Sequence, residues 1–316
     1  MDRRTFLATA AGITAATAAA QNTPLPILDT HIHLYDPTRP QGVPWPPKDG
    51  KVPYRPMLPD GFRKITKPLG VVGAIEVECS PLLEDNQWVL DIAAKDPIMV
   101  GVVGNLEPAN RDFRRHLDRF HQNPLFLGIR YGYLWGRSVA SELPKPAFFE
   151  GLKALADAGL ELDTVGPPQL LGEVVRITDK VPNLRIVIDH LPSQEPPKEA
   201  AALAAHKSNL RELGKRPQVY VKVSEVLRPI GGRVSHDLSP YRDRIDQLWD
   251  TFGADRVIYG SDWPNSDPLG TYPQVLHVVR QYFLAKGPAA SEKFFWRNSL
   301  AAYRWRKRQA SQPDAV

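Results

Sequence analysis

The chain has 316 residues, 42% hydrophobic and 24% charged, which supplies enough apolar material for one large core. Its single cysteine, Cys79, excludes an intramolecular disulfide and a cysteine-rich metal site. Much of the formal net charge of +5 comes from Arg304, Arg306, Lys307 and Arg308, which read as a solvated basic tail; no recognisable nucleic-acid-binding module accompanies them.

The first twenty residues stand apart. Arg3 and Arg4, followed by Thr5, Phe6 and Leu7, lead into a small apolar run ending at Ala18-Ala19-Ala20, the layout of a charged leader, an apolar segment and an A-x-A cleavage site. The paired arginines resemble a twin-arginine export signal. Residues 1–20 are therefore expected to send the folded chain to the periplasm or beyond, leaving residues 21–316 as one domain. A disordered N-terminus or a short anchor is the alternative. No other stretch is long and apolar enough to span a bilayer.

Eight short β-rich runs follow, at 27–34, 71–79, 98–106, 126–133, 160–165, 185–191, 219–226 and 256–263. Helix-length segments such as 85–96, 146–159 and 169–181 separate them. This alternation predicts a parallel sheet with crossover helices, and eight units in a chain of this length predict a closed (β/α)₈ TIM barrel. Neither a P-loop nor a G-x-G-x-x-G follows any strand, which argues against nucleotide binding. A long Pro-rich loop, 36–61, leaves the first strand at the end where barrel active sites lie, so Trp45 and Tyr54 are expected to roof a pocket, the alternative being a surface insertion without a role. A second Pro-rich stretch, 192–202, leaves the sixth strand on the same face.

In Asp29-Thr30-His31-Ile32-His33 the two imidazoles fall at i and i+2 of a strand and so share a face, half of a divalent metal site. His190 and Asp262 stand at the ends of the sixth and last strands, where barrel chemistry is done. Each has a plain structural alternative, a ring satisfied by a carbonyl for His190 and a turn or cap for Asp262. His116, His121, His206 and His277 fall in helix-like stretches and His236 in a loop, and all five are expected at the surface. Arg130, Lys222 and Arg228 bring cations to the same mouth. They suit a carboxylate or a hydroxyl-rich acid as substrate, or else pair with Glu76, Glu78 or Glu225. Trp45, Trp135 and Trp263 offer a stacking wall for a sugar, or fill space between loops and barrel. A serine nucleophile is unsupported, since residues 136–140 (GRSVA) lack the last glycine of G-x-S-x-G.

The segments DTHIHLYDP, IVIDHLP and YGSDWP, in this order and spacing, resemble the signature segments of the amidohydrolase-2 family. The likeness is to its lactonase branch of sugar-lactone, pyrone-dicarboxylate and sulfomuconolactone hydrolases. The resemblance implies that His31, His33 and His190 surround a metal or the substrate carbonyl, with Asp262 also at the metal and transferring the proton. The fourth and fifth strands depart from a binuclear pattern: they carry Arg130-Tyr131 and Leu162-Asp163-Thr164 where a bridging carboxylate and a histidine are needed. One divalent ion is expected, zinc or else manganese, and the branch includes members without a tightly held metal. The expected reaction is the opening of a lactone, from a sugar acid or an aromatic precursor, by Asp262-assisted attack of water. The alternatives are a metal-dependent decarboxylase of the same superfamily and an exported barrel that only binds its ligand.

Overall fold

The computed structural model describes residues 25–192 and 196–314. The expected export signal lies outside the described residues, as do residues 193–195 of the second Pro-rich stretch. Eight strands pair in parallel in the order β1 (Ile27–Ile32), β2 (Val71–Val77), β3 (Met99–Gly104), β4 (Phe126–Arg130), β5 (Glu161–Thr164), β6 (Arg185–Ile188), β7 (Val219–Val223) and β10 (Val257–Tyr259). Between β7 and β10 runs a small hairpin of β8 (Pro229–Ile230) and β9 (Arg233–Val234). The ring closes between its first and last strands, where Asp262 N donates to His31 O at 2.9 Å and His33 N to Trp263 O at 2.8 Å. This is the expected TIM barrel, and the helices Leu83–Lys95, Pro146–Asp157 and Leu170–Lys180 fall where the sequence placed them.

Strands buried on both faces should read as apolar runs, and β6 and β7 largely do. β5 breaks the pattern, because Glu161 and Asp163 are fully buried along with Lys222 of β7. That charge needs partners: the Lys222 ammonium donates to Asp163 Oδ2 at 2.7 Å and lies 2.9 Å from Asp189 Oδ1. The main apolar core fills the space between strands and helices. In a second cluster the C-terminal segment lays Trp296, Tyr303 and Trp305 against Leu28, Val187 and Ile258.

Two surface expectations are corrected. His206 is buried on the helix Ala200–Gly214, because it shares the inward face with Leu210 and Leu213 at i+4 and i+7, and its ring meets the Pro168 carbonyl. Arg308 is no solvated tail residue: its guanidinium donates to the carbonyls of Ala93 (2.6 Å), Asp96 (3.1 Å), Met99 (2.6 Å) and Ala94 (2.8 Å). Arg304, Arg306 and Lys307 are exposed as expected.

The long loop after β1 runs to Leu58, where the helix Pro59–Thr66 begins with a proline at its first position. It is pinned back to β1 by reciprocal backbone bonds between Tyr35 and Met57 and by Tyr35 Oη donating to Pro53 O at 2.7 Å. Its middle brings the Trp45 ring within 5.4 Å of the His33 ring.

Candidate active site

Strand alternation turns His31 and His33 to the same side, with ring centroids 5.0 Å apart. The His190 ring, just past β6, lies 4.6 Å from that of His31. Asp262, just past β10, places Oδ1 3.1 Å from His33 Nε2 and 3.6 Å from His31 Nε2. Thus the four residues singled out in three separate segments converge at the C-terminal end of the strands. His33, His190 and Asp262 line a cavity of about 310 Å³ together with Trp45, Glu78, Arg130, Trp135 and Glu225. His31 lies beneath it, fully buried.

The backbone at this end is held in conformations that side chains rarely adopt. His190 (φ 58°), Glu225 (φ 48°), Asp262 (φ 62°) and Trp135 (φ 58°) all take the left-handed region, and all four line the cavity. Strain concentrated on one cavity points to a site whose side-chain directions matter more than local stability. Gly260 serves the same end, since a Cβ there would sit 2.7 Å from the Cβ of His31. Below, Asp29 Oδ1 accepts from the backbone N–H of both His31 (3.1 Å) and Ser261 (2.9 Å), tying the two strand ends together.

Hydrogen-bond partners assign the rings. His33 Nδ1 lies 2.7 Å from the Val77 carbonyl, which only accepts, so this nitrogen carries a proton, and Nε2 faces Asp262 Oδ1 at 3.1 Å. A contact of that length between Nε2 and a carboxylate oxygen needs a proton or a cation between them. His190 is arranged likewise: Nε2 accepts from Arg130 at 3.3 Å and Nδ1 donates to Ser224 Oγ at 2.9 Å. Burial holds His31 well below the ordinary histidine range, helped by the Lys222 ammonium 3.1 Å from its Nδ1. Burial opposes the charge on Asp262, but the His33 hydrogen bond and the nearby rings of His190 and His31 outweigh it and leave the carboxyl below its usual range. Its Oδ2 accepts from Asn265 Nδ2 at 2.6 Å.

This cluster could hold a metal ion. One ligand atom each from His31, His33 and Asp262 lie within 4.8 Å of one another. The separations of 3.1 and 3.6 Å from Asp262 Oδ1 bracket the about 3.3 Å expected between ligands of a tetrahedral ion. His31 Nε2 is moreover a buried nitrogen with no hydrogen-bond partner among the described residues.

The model of the family described as amidohydrolase matches residues 28–305. The chain belongs to the amidohydrolase family. It is 28% identical over 283 residues to an L-fucono-1,5-lactonase of Burkholderia ambifaria, covering 88% of this chain and 95% of that protein. Among solved structures, it is similar to a zinc-bound amidohydrolase from Burkholderia multivorans (TM-score 0.77, 21% identity, 89% of this chain and all of the other). It is also similar to a probable 2-pyrone-4,6-dicarboxylic acid hydrolase from Acinetobacter baumannii (TM-score 0.71, 18% identity, 88% and 99%). A 5-carboxyvanillate decarboxylase from Novosphingobium aromaticivorans with manganese bound is a looser match (TM-score 0.56, 18% identity, 77% and 79%). At these identities the structural likenesses show the fold alone.

The amidohydrolase corrects several expectations about its pocket. Lys222 does not face the mouth: it is fully buried under His31, where Asp163 and Asp189 match its ammonium. Trp263 is not a stacking wall. It is 1% exposed and packs on Phe62, with ring centroids 5.3 Å apart, because the strand end turns its ring outward into the core. Arg228 stands beside the cavity rather than in it, 3.4 Å from Glu225 Oε2, which is the ion-pair alternative. Tyr54 is exposed and does not line the cavity. Arg130 and Trp45 do line it.

Sequence reasoning missed Asp189 and Ser224 as parts of the site, and offered Glu78 and Glu225 only as partners for the cations at its mouth. Asp189 is the most telling. It stands beside His190 in IVIDHLP, is fully buried, and carries a carboxyl that burial would raise but that Lys222, His31 and Arg130 hold well below its usual range. The signal was present, since an aspartate ending an apolar strand must have buried cationic partners.

Proposed function

We propose that this amidohydrolase opens a lactone ring by attack of water on the ester carbonyl. The observation that carries the reading is an ionised, buried Asp262 brought into one cavity with His33 and His190, in a chain related to an L-fucono-1,5-lactonase. The Asp262 carboxylate takes the proton of water as its oxygen bonds to the carbonyl carbon. It returns that proton to the ring oxygen when the carbon–oxygen bond breaks, giving a hydroxy acid. Asn265 fixes the plane of the carboxylate. The guanidinium of Arg130, held toward the cavity by Asp189 and His190, donates to the carbonyl oxygen as negative charge develops there. Trp45 and Trp135 line the cavity beside these groups.

His31, His33 and Asp262, with His190 beside them, would hold one divalent ion, and zinc suits two or three imidazoles with a carboxylate. Bound there, it would supply Lewis-acid polarisation of the carbonyl and a lower pKa for the attacking water. We also propose that residues 1–20 direct export, to be checked by following the chain, with Arg3 and Arg4 intact or replaced by lysine, between cytoplasmic and periplasmic fractions.

The test of the main reading is a hydrolysis screen of sugar-derived and aromatic-derived lactones, with and without a chelator, alongside a decarboxylation assay on carboxylated aromatics. Lactone turnover is expected. Carbon dioxide release without lactone turnover would overturn the reading in favour of a decarboxylase.

A further inference from the structure

We propose that the foot of the barrel, the end of the strands opposite the active site, carries a second binding site, for a small oxyanion with two or more negative charges. This goes beyond lactone opening and does not depend on it. A cavity of about 430 Å³ opens there, between the starts of β4 and β5 and the C-terminal segment, in the size range of small-molecule sites. Arg304, Arg306 and His121 line it, and no aspartate or glutamate is among its lining residues. A concave surface with cations and no acids concentrates anions. The two arginines are fixed rather than loose. Trp305 between them is buried, with Nε1 donating to Ser299 Oγ at 3.0 Å, and Arg304 N–H returns to Leu300 O at 2.8 Å.

Arg304 ends the helix Asn298–Tyr303 in the left-handed region (φ 58°), a conformation that glycine or asparagine takes more cheaply. Its guanidinium reaches back to Gly159, where Nη1 lies 3.6 Å from the place a Cβ would occupy, and Arg185 Nη2 donates to the Gly159 carbonyl at 2.6 Å. Two guanidiniums thus meet at one residue. Burial, and after it the charge of Arg304, pull Arg185 below the usual arginine range, a crowding that a bound anion relieves. The plain alternative is that these cations complement the helices Phe113–His121, Pro146–Asp157 and Asn298–Tyr303, which all end at this cavity. A cation in that role donates to carbonyls, as Arg185 does to Ala302 O and Gly159 O. The guanidiniums of Arg304 and Arg306 make no hydrogen bond and no ion pair among the described residues, which leaves about five N–H donors on each for a ligand. Each planar fork matches a pair of oxygens, so a doubly charged oxyanion engages both arginines where a singly charged one matches only one. Phosphoryl groups and polycarboxylates share this chemistry.

The experiment titrates the purified full chain calorimetrically with inorganic pyrophosphate, with citrate and with acetate, in chloride at constant ionic strength. The expected result is saturable binding of pyrophosphate or citrate, about tenfold or more tighter than acetate. Tighter pyrophosphate points to a phosphorylated ligand, and tighter citrate to a polycarboxylate. Affinity should fall about tenfold or more in Arg304→Asn, which tolerates the left-handed backbone, and in Arg306→Gln, and binding should vanish in the double variant. Thermal unfolding without anion should stay near wild type, since both side chains are exposed; if the double variant folds poorly, Arg306→Gln alone decides. Both probes also bind divalent metal, and Arg130 offers them a cation in the mouth. Binding that persists unchanged in the foot variants therefore places the anion elsewhere and overturns the proposal. So does acetate binding as tightly as the multiply charged probes, or no binding of either above the chloride background.

Discussion

At the mouth of the barrel Arg130, Arg137 and Arg228 each hold a carboxylate, with Lys222 holding two more just beneath His31, whereas at the foot Arg185, Arg256 and Arg308 donate to backbone carbonyls. Arg185 reaches Ala302 O at 2.7 Å and Gly159 O at 2.6 Å, and Arg256 reaches Arg216 O at 2.7 Å and Gly214 O at 2.5 Å. A guanidinium on neutral carbonyls satisfies groups that would otherwise be orphaned in the turns leading into the strands, and it brings no second charge into the protein. A buried ion pair must first desolvate both partners, which often cancels its Coulombic gain. The mouth also carries the left-handed residues His190, Glu225 and Asp262. Stability is therefore concentrated at the foot, while the mouth keeps charges in fixed directions at some energetic cost. This division predicts that variants at the two ends fail in different assays.

The largest effect belongs to Asp262→Asn. Asparagine keeps the shape and tolerates the left-handed backbone, so fold and KM are expected to survive while the proton acceptor is lost. General-base assistance is typically worth ~10²–10⁴-fold, and kcat should fall by about that factor. Thermal unfolding should move little. A variant keeping more than about a tenth of wild-type kcat would remove Asp262 from the role assigned above.

Arg308→Ala reverses the pattern. It deprives four carbonyls between Ala93 and Met99 of their donor, and a lost partner for buried backbone groups costs about 1–3 kcal/mol. Urea unfolding should register a loss of that size, with kcat at room temperature near wild type. Arg308→Lys should fall between, because an ammonium cannot span four acceptors with a planar fork. If Arg308→Ala lowers kcat at temperatures where the chain stays folded, the separation of the two ends is false.

The same contrast explains what was legible in the sequence. Strand period, strand number and the residues at strand ends follow from local pattern, so the barrel and the convergence of His31, His33, His190 and Asp262 could be read directly. What could not be read is which way a charged side chain at a strand end turns once the ring closes. Lys222 lies within β7 and was expected at the mouth, but its partners Asp163 and Asp189 come from two other strands and draw it below His31. Trp263 was assigned to the cavity one residue from Asp262, and the left-handed turn at Asp262 sends the next side chain into the core instead. Arg308 looked like tail because its acceptors are more than 200 residues earlier in the chain. In each case the deciding partner is distant in sequence, and periodicity carries no information about it.

The smallest effect tests whether the mouth keeps charge at a cost even away from the chemistry. Asp267, half-buried just beyond Asp262, has its carboxyl pushed up to about 6 by burial, against the pull of Arg55. In the unfolded chain the same group ionises near ~3.9. Between those values the folded state binds more protons than the unfolded one, so this contribution favours folding below about pH 4 and is lost as the pH rises through about 6. The full shift would correspond to ~3 kcal/mol, which partial exposure to solvent reduces to about 1 kcal/mol. Asp267→Asn removes the titration and keeps the shape. Unfolding free energies from urea titrations at pH 4 and pH 7 should therefore match wild type at the lower pH and exceed it by about 1 kcal/mol at the higher. A variant less stable than wild type at pH 7 would show that ionised Asp267 pairs productively with Arg55, and the mouth would then contain at least one charge that stabilises the fold.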